Sequence, residues 1–367
     1  MDDGPSVRSR AISNALRLGV RPFLHYLPGH ATSIRTARST VDAASLLLRH
    51  SPHVRVESLN DPLPDDEDGR PIRGEWIVPR APSEKHTAEE HAAEKHAAEE
   101  HAAEEHAAEK REARKRAAEE HAPGAVLYLH GGGYVVCSPR THRPITSRLA
   151  LDTGLPVLAP RYRLAPEHPF PAPLEDAVAA YRWLLARGVP ASGIVLAGDS
   201  AGGHLSAALT GELCRQGLPS PAGLMLFSPW VDLTCELSMG AQSRARDPYI
   251  SAASARRIAR LVVGPTGFED PRLALLTCAW TEMPPVLIQV GGAEVLRTEA
   301  EAFADALRRA GAHCDLQIWK GQMHVFQILN RVLPEASAAM REAAHFVRTV
   351  TGRPVKRTKA GKRTKAA

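Results

Sequence analysis

Short apolar runs separated by amphipathic stretches recur along most of this 367-residue chain. Runs at Glu75–Val78, Val126–Leu129, Val157–Ala159, Ile194–Ala197, Leu224–Phe227, Val286–Val290 and Leu316–Trp319 are bounded by turn residues or charges and read as buried strands. Between most of them the apolar positions recur at helical spacing instead. Strand alternating with helix predicts an α/β fold, with a mostly parallel sheet covered by helices on both faces. The first residues, to about Arg49, show no strand pattern and read as amphipathic helices. A chain of this length can bury a large core in one α/β domain of about 300 residues.

Two stretches break the pattern. From Ser83 to Ala122 the composition changes abruptly to tandem His-Ala-Ala-Glu-Glu/Lys units. A helix turns about 100° per residue, so a histidine every fifth residue rotates by roughly 140° net and forms no continuous face. Pairs at i, i+4 that could share a metal ion are absent. Alanine, glutamate and lysine favour helix, and nothing larger than alanine is there to bury. A solvated helical insert in a surface loop is therefore expected. The second stretch is the C-terminal tail, 351–367. The formal net charge is +5, but this tail carries +7 and leaves −2 for the rest. It reads as a basic, disordered appendage on a near-neutral body. No aromatic residue interleaves its charges, so no nucleic-acid partner is expected.

Five cysteines (Cys137, Cys214, Cys235, Cys278 and Cys314) are odd in number and form no C-x-x-C pair. Reduced thiols in a cytoplasmic protein are the expectation. No run of 18 or more apolar residues occurs, and no basic-then-apolar leader opens the chain, so neither a membrane span nor export is expected.

Candidate chemistry centres on Gly198-Asp199-Ser200-Ala201-Gly202, which fits G-x-S-x-G. The run Gly193–Ala197 precedes it and a helix-forming stretch from Ala201 to Arg215 follows. A sharp strand-to-helix turn there lifts the serine hydroxyl clear of the backbone and aims the helix N-terminus at a reacting carbonyl. The strand at Ala125–Leu129 runs into His130-Gly131-Gly132-Gly133-Tyr134. Three glycines leave backbone N–H groups bare enough to meet an oxyanion. A phosphate-binding loop is disfavoured, because neither G-x-x-x-x-G-K-[ST] nor G-x-G-x-x-G is completed.

His130–Gly133, Gly198–Gly203 and the stretch Tyr162–Ala172 together resemble the hormone-sensitive-lipase-like branch of the α/β-hydrolases, the bacterial family IV carboxylesterases. The resemblance runs from about Arg10 to about Val350, with the three motifs in the family's order. It implies an α/β-hydrolase fold at 51–350, interrupted by the insert at 83–122, with residues 1–50 as a helical cap joined by an excursion near Val231–Val263. It also implies oxyanion donors at the N–H groups of Gly132, Gly133 and Ala201. His130, Gly131 and Asp199 would support them, and the stretch from Tyr162 would buttress the site with Glu167 as a supporting carboxylate. The segment Ala274–Trp280 departs from the Ser-Pro-type loop usual in relatives, which bears on the pocket more than on the chemistry.

A serine hydroxyl needs a general base, and the base needs an orienting carboxylate. In this fold the order is Ser, acid, His, each after a later strand. Beyond Ser200 the histidines are His204, His313, His324 and His345. His204 sits within the nucleophile helix, His313 at the wrong end of its strand and His345 in the last helix. His324 follows the strand Asp315–Trp319 at its carboxyl end, and matches the family's G-x-x-H position. For the acid, Glu294 follows the strand Pro285–Val290 in Glu-Val-Leu, resembling one subgroup of the family. Glu299 and Glu301 are rivals in a helical stretch, where a solvated face is the default.

These residues predict a serine carboxylesterase acting on short- to medium-chain esters through an acyl-enzyme, the chain length being implied by the resemblance alone. The chemistry calls for no metal and no organic cofactor. The expected partner is a small-molecule ester, and a homo-oligomer is compatible with the sequence. Two alternatives stay open: an amide- or acetyl-group hydrolase with the same triad, and a ligand-binding relative that has lost catalysis.

Overall fold

The computed structural model describes residues 4–19, 21, 31–45, 51–62, 71–80, 124–245 and 247–353. The insert expected at 83–122 and the tail from 354 onward lie outside them. Strands β3 (Ala125–Leu129), β4 (Val157–Pro160), β5 (Ile194–Asp199), β6 (Gly223–Phe227) and β7 (Val286–Gly291) are buried at every position. That is why they read as continuous apolar runs rather than as alternating ones. Successive side chains still divide between two cores. Leu127, Leu129, Leu196 and Leu226 point toward helices α4 (Ala172–Ala186), α5 (Ala201–Arg215) and α8 (Arg297–Arg309), where Leu184, Leu209 and Phe303 meet them. Val126, Tyr128, Val195 and Met225 point the other way, onto Leu149 of α3 (Arg143–Thr153) and Met340 and Val347 of α9 (Pro334–Val350). Each buried leucine or phenylalanine contributes about 1.5–3 kcal/mol, so the two cores fix the layer order.

Among the described residues the sheet has eight strands, in the order β1-β2-β4-β3-β5-β6-β7-β8. From β4 to β8 (Cys314–Trp319) all pairs are parallel. β1 (Val54–Pro62) and β2 (Pro71–Pro79) form an antiparallel pair, and β2 joins β4 antiparallel. β1 is the one strand with no counterpart in the sequence reading. It is an edge strand with alternating, largely exposed positions and only Val54 buried, so it carries little apolar signal.

Among the described residues, two N-terminal helices dock on this frame. α1 (Val7–Gly19) is tied to α9 and to the loop after β8: Ser6 N–H donates to Glu335 at 2.7 Å, and Ser9 Oγ to Gln322 at 3.1 Å. α2 (Ala31–Ser45) buries Ile34 against Val135 and Ala165. Arg38 of α2 donates to the carbonyls of Val135 and Ala165, both at 3.0 Å. Between β6 and β7 an excursion carries α6 (Glu236–Ala241) and α7 (Ala252–Val263). The first residues of the expected tail are anchored, since Arg353 donates to the Gly154 carbonyl at 3.2 Å.

Candidate active site

The turn from β5 into α5 places Ser200 at φ 53°, ψ −120°. A non-glycine residue in that region is strained by roughly 1–3 kcal/mol, so its surroundings must hold it. Ser200 N–H donates to Phe227 O at 2.9 Å, and Ser200 O accepts from Trp230 at 3.0 Å and His204 at 3.1 Å. The flanking glycines are required by contact. A side chain at Gly198 would strike the Gly202 carbonyl, and one at Gly202 would strike that of Leu129. Helix α5 thus starts directly beneath the serine, with its N-terminal dipole end at the site.

Asp199 locks the glycine loop to this turn. Its buried carboxylate accepts from Tyr128 Oη at 2.7 Å and Gly131 N–H at 3.0 Å, and lies 3.1 Å from His142 Nε2. Burial raises its pKa, but the opposing His142 prevails and the net direction is downward. Next along the chain, Gly132 (φ 110°), Gly133 (φ 61°) and Tyr134 (φ 63°) curl the loop back on itself. Among the described residues, Gly131 N–H is taken by Asp199, whereas the N–H groups of Gly132, Gly133 and Ala201 meet no protein acceptor. Those three are the expected oxyanion donors. His130 is buried, stacked on Tyr162 with ring centroids 4.3 Å apart, and held neutral by burial and by His142, with a pKa near 3. Tyr162 Oη donates to the His130 carbonyl at 2.5 Å, which ties the stretch from Tyr162 to the loop. Glu167 of the same stretch clamps α2 through Arg35 at 2.8 Å and Arg38 at 3.0 Å.

The acid–base pair forms at the same edge. β5 to β8 are consecutive in the sheet, so Ser200, Glu294 and His324 all emerge from carboxyl ends. Glu294 Oε2 lies 2.7 Å from His324 Nδ1, both side chains buried. Glu294 Oε1 accepts from Ser228 Oγ at 2.6 Å and Gly291 N–H at 2.5 Å. The glutamate is therefore oriented from behind before it meets the imidazole. Burial opposes a charge on His324, but the Glu294 carboxylate outweighs it and its pKa is raised. The Glu294 carboxylate thereby stabilises the imidazolium that forms when His324 takes a proton from a hydroxyl.

The other three histidines beyond Ser200 are accounted for by packing or exposure. His204 is buried, with Nδ1 2.8 Å from Tyr134 Oη and Nε2 3.4 Å from the Leu273 carbonyl, and burial pushes its pKa down to about 4. His313 and His345 are exposed. Glu301 pairs with Arg297 at 2.9 Å on the surface. Glu299 corrects the expectation of a solvated face. It is buried, accepts from the N–H groups of Val231 and Asp232, and its pKa is pushed up to about 8 by burial.

Sequence reasoning missed Ser228, Tyr128 and His142. Each reaches the site from a separate element and has no motif of its own. The backbone strain at Ser228 (φ 46°) is visible only in three dimensions. Among the described residues, no group of three or more His, Cys, Asp and Glu side chains could hold a metal ion, and no helix is long and apolar enough to cross a membrane. A cavity of about 770 Å³ is lined by His130, Tyr162, Arg161 and Arg182 among others, and Ser200, Glu294 and His324 are not part of its lining.

Comparison with known proteins gives the same fold. The family model described as alpha/beta hydrolase fold matches residues 126–328. An acetyl-hydrolase of Streptomyces hygroscopicus is 43% identical over 234 residues, covering 63% of this chain and 77% of that protein. The carboxylesterase/phospholipase LipF of Mycobacterium tuberculosis is 37% identical over 237 residues, and the match spans 62% of each chain. Among solved structures, an esterase from the bacterial hormone-sensitive lipase family superposes with a TM-score of 0.74 at 30% identity, covering 95% of this chain and all of that one.

Proposed function

Because the chain belongs to the hormone-sensitive-lipase-like family of α/β-hydrolases and is a carboxylic ester hydrolase, we propose that Ser200, His324 and Glu294 form its triad, acting through an acyl-enzyme on short-chain esters. The observation that carries this reading is the Glu294–His324 pair at 2.7 Å, on the same sheet edge as a strained Ser200 beside three uncommitted N–H groups.

In the proposed cycle, His324 accepts the Ser200 proton as the hydroxyl oxygen attacks the ester carbon. Glu294 fixes the imidazole so that Nδ1–H faces the carboxylate and Nε2 is free to take that proton. The oxyanion is received by the Gly132, Gly133 and Ala201 N–H groups, each worth on the order of 3 kcal/mol of barrier. The protonated His324 then returns its proton to the leaving alkoxide, and the alcohol departs. Water, deprotonated by His324, attacks the acyl-enzyme; collapse releases the carboxylic acid and returns the proton to Ser200.

Preference for short acyl groups is supported by the name of the Streptomyces relative, an acetyl-hydrolase. The crowding of the glycine loop by Ile258 of α7 points the same way: its Cγ2 sits 3.2 Å from where a side chain on Gly133 would begin. The roles of α2 and the β6–β7 excursion as a cap rest on these contacts together with those of Arg38. The test is a series of p-nitrophenyl esters of increasing acyl length with Ser200→Ala and His324→Ala as controls. Turnover should peak at acetyl to butyryl and vanish in both variants; a peak at long chains overturns the acyl preference, and turnover by Ser200→Ala overturns the triad.

A further inference from the structure

The excursion between β6 and β7 sends one buried carboxylate into the neighbourhood of the acid–base pair. Asp247 is only 1% exposed. Its Oδ1 accepts from the N–H groups of Tyr249 at 3.0 Å and Ile250 at 2.8 Å, which folds the segment around it. Its Oδ2 accepts from Val295 N–H at 3.1 Å, the residue directly after Glu294. Two residues on, Tyr249 Oη donates to the His324 carbonyl at 3.1 Å, and the two rings lie 5.9 Å apart. One short segment therefore grips both the acid loop and the base loop.

Resting on the triad reading above, we propose that Asp247 is a positioning residue for the acid–base pair, holding the Glu294 loop through Val295 and adding a second buried negative charge to the field at His324. The groups facing His324 are Glu294 from the loop after β7, Asp247 from the excursion and Asp199 from the end of β5; each favours the protonated imidazole, while burial disfavours it. Asp247 in turn faces His324 and Glu294 and is raised by its own burial, with the Ile250 and Tyr249 N–H groups working against that rise. The arrangement makes proton affinity at the base depend on the seating of the excursion, and so links substrate-side packing to catalytic power.

The experiment is the pH profile of kcat/KM for p-nitrophenyl acetate in the wild type, Asp247→Asn and Tyr249→Phe. Asparagine keeps the volume but deletes the charge and sets its NH2 against one of the N–H groups the carboxylate accepts from, so the imidazolium loses a stabilising neighbour and the segment loses part of its grip. The acid limb should then move to lower pH, by roughly one unit. Tyr249→Phe perturbs the same segment without changing charge and should leave the acid limb in place. Thermal melting followed by circular dichroism checks the fold; if Asp247→Asn does not fold, Asp247→Ser, which keeps an oxygen for the Ile250 N–H, gives the same readout. A folded Asp247 variant with an unmoved acid limb, or an equal shift in Tyr249→Phe, overturns the proposal. Ser200→Ala run alongside separates the two levels: activity surviving there sinks the triad, whereas its loss with an unmoved limb in the Asp247 variant sinks only the Asp247 role.

Discussion

Replacing Glu294 by glutamine tests how the acid orients the base. The carboxylate has three partners in two groups: Ser228 Oγ and Gly291 N–H on Oε1 at 2.6 and 2.5 Å, and His324 Nδ1 on Oε2 at 2.7 Å. A glutamine offers one acceptor and one donor, so one group must face an NH2. The Ser228 hydroxyl can rotate, but the Gly291 N–H cannot. Setting NH2 against a buried N–H costs about 1–3 kcal/mol. The amide oxygen is therefore expected on the Gly291 side, leaving NH2 against His324. Nδ1 must then accept, which moves the imidazole proton to Nε2, where it cannot take one from Ser200. A wrong tautomer in an otherwise intact triad costs on the order of 10⁴-fold in kcat, about 5.5 kcal/mol of barrier. Steady-state hydrolysis of p-nitrophenyl acetate should show that loss in kcat with KM nearly unchanged and the fold intact. A folded Glu294→Gln enzyme within about tenfold of wild type would refute the reasoning.

Other consequences follow from the same geometry. In Gly132→Ala the new Cβ would meet the Val136 carbonyl and come within 2.9 Å of Cys137 Cβ, at φ 110°, so the loop must shift. Loss of about 10²–10³-fold in kcat is expected from the displaced donor, and a melting temperature lowered without loss of kcat would contradict it. Glu299 governs a pH effect. Its folded pKa of about 8 exceeds the ordinary carboxyl value, so the folded state binds more protons between roughly pH 4.5 and 8. Its contribution is present below that window and lost as pH rises through about 8, on the order of 5 kcal/mol in total. Urea unfolding at pH 5 and pH 8.5 should show Glu299→Gln gaining on the wild type at the higher pH; parallel behaviour of the two proteins argues against a buried neutral Glu299.

What the sequence revealed tracks how local each feature is. The β5–α5 turn and the glycine loop are contiguous motifs, and helix α5 begins and ends where its composition placed it, at Ala201 and Arg215. Glu294 and His324 were legible because each closes a strand that reads clearly on its own. β1 was hidden because an exposed edge strand needs little apolar sequence. Glu299 was misplaced because its neighbours in sequence, Arg297 and Glu301, are surface residues, whereas burial comes from the chain at Val231–Asp232 folding over it. Ser228, Asp247 and Tyr249 share that reason: their importance lies in loops from other strands arriving at the same edge.

The most direct measurement is peptide mapping by mass spectrometry after reaction with a fluorophosphonate, which traps an activated serine as a stable phosphonyl ester. A single adduct on the peptide holding Ser200, slowed strongly in His324→Ala, is the predicted result. An adduct elsewhere, with ester hydrolysis persisting in Ser200→Ala, would contradict the account at its root.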